Sequence, residues 1–213
     1  MRPNAPGPRR SYDTGKRRSA ARRNRAAVIE ACRELLLSDG YQATTVRTVA
    51  ARAGVSPETV HKAFGSKPGL MKALWDVTLA GDDEPMPMSE RPALKQAWST
   101  PDPHLKLRLY AGFVCDVHTR LATLFALLGE AGPEVAQVLA TAERERLVGV
   151  TAFLTHLADA DALRADADPN HQVDACWAMT GPQLYTQLTS GRGWDVDTYR
   201  DWLTGVLIAS LLP

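Results

Sequence analysis

Five histidines and three cysteines are the residues best equipped to ligate a metal, attack a substrate or carry a proton. His61, His104, His118, His156 and His171 stand far apart, without metal-ligand spacing. No His-Glu-x-x-His, Cys-x-x-Cys, glycine-rich phosphate loop or nucleophile elbow occurs. Cys32, Cys115 and Cys176 are odd in number and sit in apolar helical patterns, which suits small core residues and neither a disulfide framework nor a zinc knuckle. Glu143 and Glu145 point to different sides of a helix and read as a solvated face. The expectation is a protein that is not an enzyme, with no catalytic residue, no metal and no cofactor.

The remaining chemistry is that of arginine and lysine, which pair with guanine edges and phosphate oxygens. The net charge of +1 conceals a strong division. Residues 1–79 hold 15 Lys+Arg against 6 Asp+Glu, whereas residues 80–213 hold 10 against 18. A basic head on an acidic body is what a polyanion-binding module joined to a non-binding one shows, because phosphate contacts supply most non-specific DNA affinity. By type, Arg47 and Lys62 are the best candidates for contacts to bases or phosphates.

The elements that position these residues are helices, and no segment alternates with period two over strand length, so the fold class is all-α. Residues 1–24, rich in Pro and Arg and without apolar periodicity, read as a disordered basic arm whose last part, from Arg17, is able to extend the first helix, and which is either a solubilising tail or an arm reaching DNA phosphates or a minor groove. Residues 25–81 read as the DNA-binding domain. Val28, Ala31, Cys32 and Leu35 line one helix face, which Gly40 ends. Val46–Ala53 is a short helix with a threonine available as N-cap, broken by Gly54-Val55. Ser56 then caps a second short helix with Pro57 at its first position and Glu58 as a favourable helix-end charge. After Gly65, Ser66 caps a longer helix that fades at Gly81.

Residues 82–213 read as a helical ligand-binding and dimerisation domain, beginning with a linker over 82–103 that holds one short helix near residues 92–98. Leu107, Tyr110, Val114, Val117, Leu121, Leu124 and Leu128 form the seam of a long helix stopped by Gly129. A second runs from Pro133 to about Asp159. A third, residues 170–188, is kinked in mid-course by Gly181-Pro182. Asp195 or Asp197 caps a last helix with Tyr199, Trp202, Leu203, Val206 and Leu207 on its apolar side. The longest apolar runs, such as Leu203–Leu212, are far below the roughly 18 residues of a membrane span, which gives a cytoplasmic protein with no membrane partner.

Two short helices joined by a glycine turn have the dimensions of a DNA-binding helix-turn-helix, in which the first braces the second so that its N-terminal turn enters the major groove. Residues 28–36 (VIEACRELL), 40–50 (GYQATTVRTVA), 53–60 (AGVSPETV) and 64–67 (FGSK) resemble the tetracycline-repressor (TetR) family over about a quarter of the chain. The resemblance implies Ser56, Glu58, Thr59, His61, Lys62 and Ala63 facing DNA from the second helix, Thr45 and Arg47 approaching from the bracing helix, and Lys67 binding phosphate. His61 departs from the family's usual tyrosine and Ala63 from a larger residue. The resemblance further implies a homodimer through the last two helices, with Leu203 and Val206 as its contacts, and a small-molecule effector between the long helices. Phe113, His118, Phe125, Trp177 and Tyr185 are the candidate pocket residues.

The function expected is a ligand-responsive regulator, a repressor by family habit, acting as a homodimer on a near-palindromic operator. The alternatives are an architectural helical DNA-binding protein without a ligand, and a helical small-molecule-binding protein or enzyme whose basic head is incidental.

Overall fold

A computed structural model describes residues 11–129 and 131–213, with side chains from residue 15 onward. Among the described residues every regular element is a helix. The chain divides into two compact units, one ending at Leu74 and the other spanning Trp75–Pro213.

In the first unit, α1 covers Ser11–Ala43. Its core face is Val28, Ile29, Ala31, Cys32, Leu35 and Leu36, all buried. Gly40, at φ 77°, ends its regular course in a conformation that costs glycine little. The helix starts earlier than its apolar pattern does. Residues 17–24 extend α1 as the sequence allowed, residues 11–16, expected as part of a disordered arm, are helical as well, and residues 1–10 lie outside the described residues. From Arg17 on the physical reason is propensity: alanine and arginine are strong helix formers and need no apolar stripe to continue an existing helix.

The short helices α2 (Val46–Ala53) and α3 (Pro57–Phe64) have the predicted bounds because their ends are specified chemically. Thr45 and Thr48 form a reciprocal capping box, Thr48 N–H donating to Thr45 Oγ1 at 3.1 Å and Thr45 N–H to Thr48 Oγ1 at 2.8 Å. Gly54, in the left-handed region at φ 67°, closes α2. Ser56 caps α3 by accepting from Thr59 N–H, and Pro57 occupies its first turn. Helix α4 (Lys67–Ala80) follows, with Ser66 Oγ accepting from Gly69 N–H at 3.3 Å. The division between the units falls inside α4 and not after it. From Trp75 onward α4 packs in the second unit, with Trp75 against Phe125 at 6.5 Å between ring centroids and Arg120 donating to the Thr78 and Leu79 carbonyls.

The second unit continues with a 3-10 turn at Met88–Glu90 and with α5 (Pro92–Ser99). Five further helices are α6 (Pro103–Gly129), α7 (Pro133–Asp159), α8 (Pro169–Met179), α9 (Pro182–Arg192) and α10 (Val196–Leu211). Helix α6 is central and packs against α5, α7, α9 and α10. Its Leu107, Tyr110, Val114 and Cys115 meet Val150, Phe153, Leu154 and Leu157 of α7 and Tyr199, Leu203 and Leu207 of α10 in one core. Tyr110 and Phe153 stack at 4.1 Å within it. The comparison of apolar runs overlooks that α6 is long and apolar enough by length and composition to cross a bilayer. Here that composition serves the core, with eleven of its side chains buried.

Two expectations need correction. The helix expected to kink at Gly181-Pro182 is two helices, α8 ending before Thr180 and α9 starting at Pro182, since Pro182 has no N–H to carry the ladder across. Leu203, expected at a dimer interface, is 0% exposed within its own chain and is core, whereas Val206 is only half-buried.

Candidate nucleic-acid interface

The bracing of α3 comes from α1 and α2. Val49 and Ala50 of α2 and Val60 of α3 are buried at 0–1% exposure, and Ala50 is small enough to allow close approach. An Arg52–Glu34 ion pair at 3.0 Å ties α2 to α1 across exposed surface. With Val60 turned inward, α3 leaves Glu58, His61, Lys62 and Ala63 exposed and Thr59 half-buried. Thr45, Arg47 and Ser56 are exposed on the same unit.

Several of these side chains already hold structural hydrogen bonds. The hydroxyls of Thr45 and Ser56 cap their helices. The Glu58 carboxyl lies below the usual carboxylate range, chiefly because its own backbone N–H and then the Ser56 hydroxyl donate to it. That geometry suits a helix-end charge. His61 Nδ1 lies 3.0 Å from the Gly65 carbonyl, so the proton on Nδ1 is donated within the α3 terminus. The Lys67 ammonium donates to the Tyr41 carbonyl and lies 3.7 Å from the Tyr41 ring centroid, clasping the start of α4 to the end of α1 beyond Gly40. Arg47 and Lys62 are the exposed cations of α2 and α3 that the sequence singled out.

Sequence reasoning missed Gly69. A side chain there would collide with the Phe64 carbonyl oxygen, so α4 crosses the end of α3 at a distance only glycine allows. Arg25 was missed as well: its guanidinium lies 5.1 Å from the Phe64 ring centroid, which couples α1 to the last residue of α3.

In the second unit, three of the five candidate pocket residues gather near the α8–α9 break, His118 and Trp177 by bonding to Thr180 and Tyr185 by packing on His118. His118 is buried and its Nε2–H donates to the Thr180 carbonyl at 2.9 Å. That leaves Nδ1 as a buried acceptor without a partner among the described residues. Burial is the main cause that pushes the imidazole down to about 4. Tyr185 packs on His118 at 5.5 Å, and its hydroxyl pairs with Thr119 Oγ1 at 3.0 Å. Trp177 lies under the Arg146 guanidinium, which also donates to the Trp177 carbonyl at 2.7 Å. Phe113 and Phe125 have other ring neighbours, Tyr110 and Trp75. Glu143, read from sequence as solvated, instead makes a part-buried ion pair with Arg146 at 2.6 Å. Arg146 and Thr180 carried no signal in the sequence, and Tyr199, whose buried hydroxyl lacks a partner among the described residues, was legible only as an apolar-face residue of the last helix. All three cysteines are buried, and burial raises their thiols to about 12 for Cys32 and Cys176 and about 11 for Cys115.

Residues 28–74 match the family model of bacterial regulatory proteins, tetR family. A curated relative, the uncharacterized HTH-type transcriptional regulator YvkB of Bacillus subtilis (strain 168), is 40% identical over 47 residues, 22% of this chain. That match spans a quarter (25%) of the relative's length. Among solved structures, the chain is similar to NalD, the secondary repressor of the MexAB-OprM multidrug efflux pump in Pseudomonas aeruginosa, with 20% identity and a TM-score of 0.64. The similarity covers 91% of this chain and 98% of that one. The transcriptional regulator FadR from Bacillus subtilis, solved with stearoyl-CoA, gives a TM-score of 0.64 at 16% identity, covering 87% and 98%. At these identities the structures establish a shared fold that extends over both units' sequence.

Proposed function

The chain carries the helix-turn-helix DNA-binding domain of the tetR family of bacterial regulatory proteins, and from that premise we propose that it is a ligand-responsive repressor acting as a homodimer. Its target is a near-palindromic operator whose half-sites lie about one helical turn, or a multiple of it, apart. The observation that carries this reading is the exposed face of α3, with Glu58, His61, Lys62 and Ala63 outward over a buried Val60 anchor. Arg47 and Lys62 contact bases or phosphates, Thr45, Ser56 and Thr59 add hydroxyl contacts at the helix starts, and Ala63 leaves room for close approach. His61 reaches phosphate through Nε2, its other nitrogen being held by Gly65. Lys67 reaches phosphate by leaving its clasp on Tyr41. Glu58 serves as the helix-end charge.

The last helices supply the dimer contact through their outer face, where Val206 stands half-buried. The effector binds in the second unit beside the His118, Tyr185 and Trp177 cluster, with Phe113 and Phe125 as further apolar contacts. Its effect on DNA affinity equals its differential affinity for two arrangements of the dimer. FadR, solved with stearoyl-CoA, is an instance of this fold holding a small molecule. The cell compartment consistent with this role is the cytoplasm.

Selection of bound duplexes from a random pool tests the proposal. A two-fold symmetric consensus is expected, recovered more weakly with Lys62→Ala or Arg47→Ala. Strong but sequence-independent binding would favour the architectural alternative. Absence of duplex binding would overturn the DNA-binding role.

A further inference from the structure

We infer that the N-terminal portion of α1 is a second DNA-contacting element, a basic helical rod that binds duplex phosphates flanking the half-site read by α3. The inference rests on the operator-binding role proposed above. Between residues 15 and 27 no side chain is buried, and the first buried residue of α1 is Val28. The same stretch carries Lys16, Arg17, Arg18, Arg22, Arg23 and Arg25, and no Asp or Glu lies between residues 14 and 29. Its only apolar side chains are alanines. A helix that presents no core-forming face but six cations within ten residues has the composition of a polyanion ligand, not of a packing element.

Placement argues for DNA in particular. Arg18, Arg22 and Arg25 stand at i, i+4 and i+7, one stripe along the helix. The last of them sits over Phe64, the final residue of α3. The stripe therefore starts at the end of the proposed recognition helix and runs away from it along α1. From Arg25 to Arg18 the helix rises about 10 Å, comparable to three phosphate steps at about 3.4 Å of rise per nucleotide. Like charges four residues apart repel within an isolated helix, and phosphate oxygens along the stripe would remove that repulsion. Because the segment is already helical, binding orders less chain than a flexible arm would.

The test uses the full chain and the duplex selected above. Lys16, Arg17, Arg18, Arg22 and Arg23 are replaced together by Gln, which keeps good helix propensity, while Arg25 is left in its contact with Phe64. At about 0.9 per phosphate, the log–log salt slope of operator binding is expected to fall by at least about 2. Lengthening the operator's flanks by about one helical turn on each side should tighten binding of the unaltered protein and leave the Gln variant indifferent. A version with Lys in place of the four arginines keeps the charge and should keep the slope, which separates charge from any loss of helix. An unchanged slope and no dependence on flank length would overturn the inference while leaving the helix-turn-helix reading intact. If the unaltered protein bound no duplex in a salt-sensitive way, both would fall.

Discussion

Acidification should destabilise the second unit through one side chain, His118. Its imidazole is held neutral in the fold, with Nε2–H on the Thr180 carbonyl, Nδ1 buried and without a partner among the described residues, and a pKa pushed down to about 4. An unfolded histidine titrates near 6.5, so between these values the unfolded chain takes up the proton first and unfolding is favoured. The contribution is present in full above about pH 6.5 and is lost as pH falls toward 4, with a limit of about 3 kcal/mol. At about pH 5.5 the loss is already on the order of 1 kcal/mol, before most carboxylates titrate. Arg146 lies near enough to oppose protonation and Glu143 near enough to favour it, and burial outweighs both. The assay is urea unfolding at a series of pH values, followed by tryptophan fluorescence. All five tryptophans, Trp75, Trp98, Trp177, Trp194 and Trp202, lie in Trp75–Pro213, so the signal reports that unit alone. His118→Gln retains a donor for the Thr180 carbonyl and cannot titrate, so the difference between its curve and the parent's isolates the imidazole. Parallel stability curves from about pH 7.5 to about pH 5 would refute the neutral, buried assignment.

Three other outcomes are expected. Lys62→Ala and Arg47→Ala should each weaken operator binding by about 1–3 kcal/mol, read by titration at fixed salt, with relaxed base preference wherever the lost contact was to a base. Gly69→Ala should destabilise the first unit by about 1–3 kcal/mol through the clash with the Phe64 carbonyl; an unchanged melting curve in circular dichroism together with parental DNA affinity would show that α4 does not constrain α3. Val206→Glu should leave a folded monomer by light scattering, whereas Leu203→Glu should unfold the second unit, because Leu203 is core and Val206 is only half-buried. A folded Val206→Glu dimer would place the dimer contact elsewhere.

The helix-turn-helix was legible in the sequence because its boundaries are local chemistry: Thr45, Gly54, Ser56, Pro57 and Gly65 each act within four residues of themselves. The helical seam of α6 was legible for the same kind of reason, as a period along one element. What escaped was set by tertiary partners. Nothing near His118 in the chain announces the Thr180 carbonyl 62 residues away, nor does Glu143 reveal that Arg146 turns inward to Trp177. Leu203 and Val206 lie in one apolar pattern, and only the packing of α10 on α6 divides them into core and outer face. The start of α1 at Ser11, ahead of the Arg17 from which the sequence allowed a helix, escaped for the opposite reason, since that stretch has no apolar period to detect.

The three buried thiols divide between the units, Cys32 in the first and Cys115 and Cys176 in the second. A thiol raised well above its ordinary range and shielded from solvent does not react with an alkylating reagent until the structure around it opens. The chain thus has a built-in labelling clock at natural positions. The rate at which Cys32 is modified, set against the rates for Cys115 and Cys176, separates opening of the DNA-binding unit from opening of the helical body in the intact protein. Operator added to the reaction should slow the first clock and effector the second, so one peptide map would read both binding events without any introduced probe.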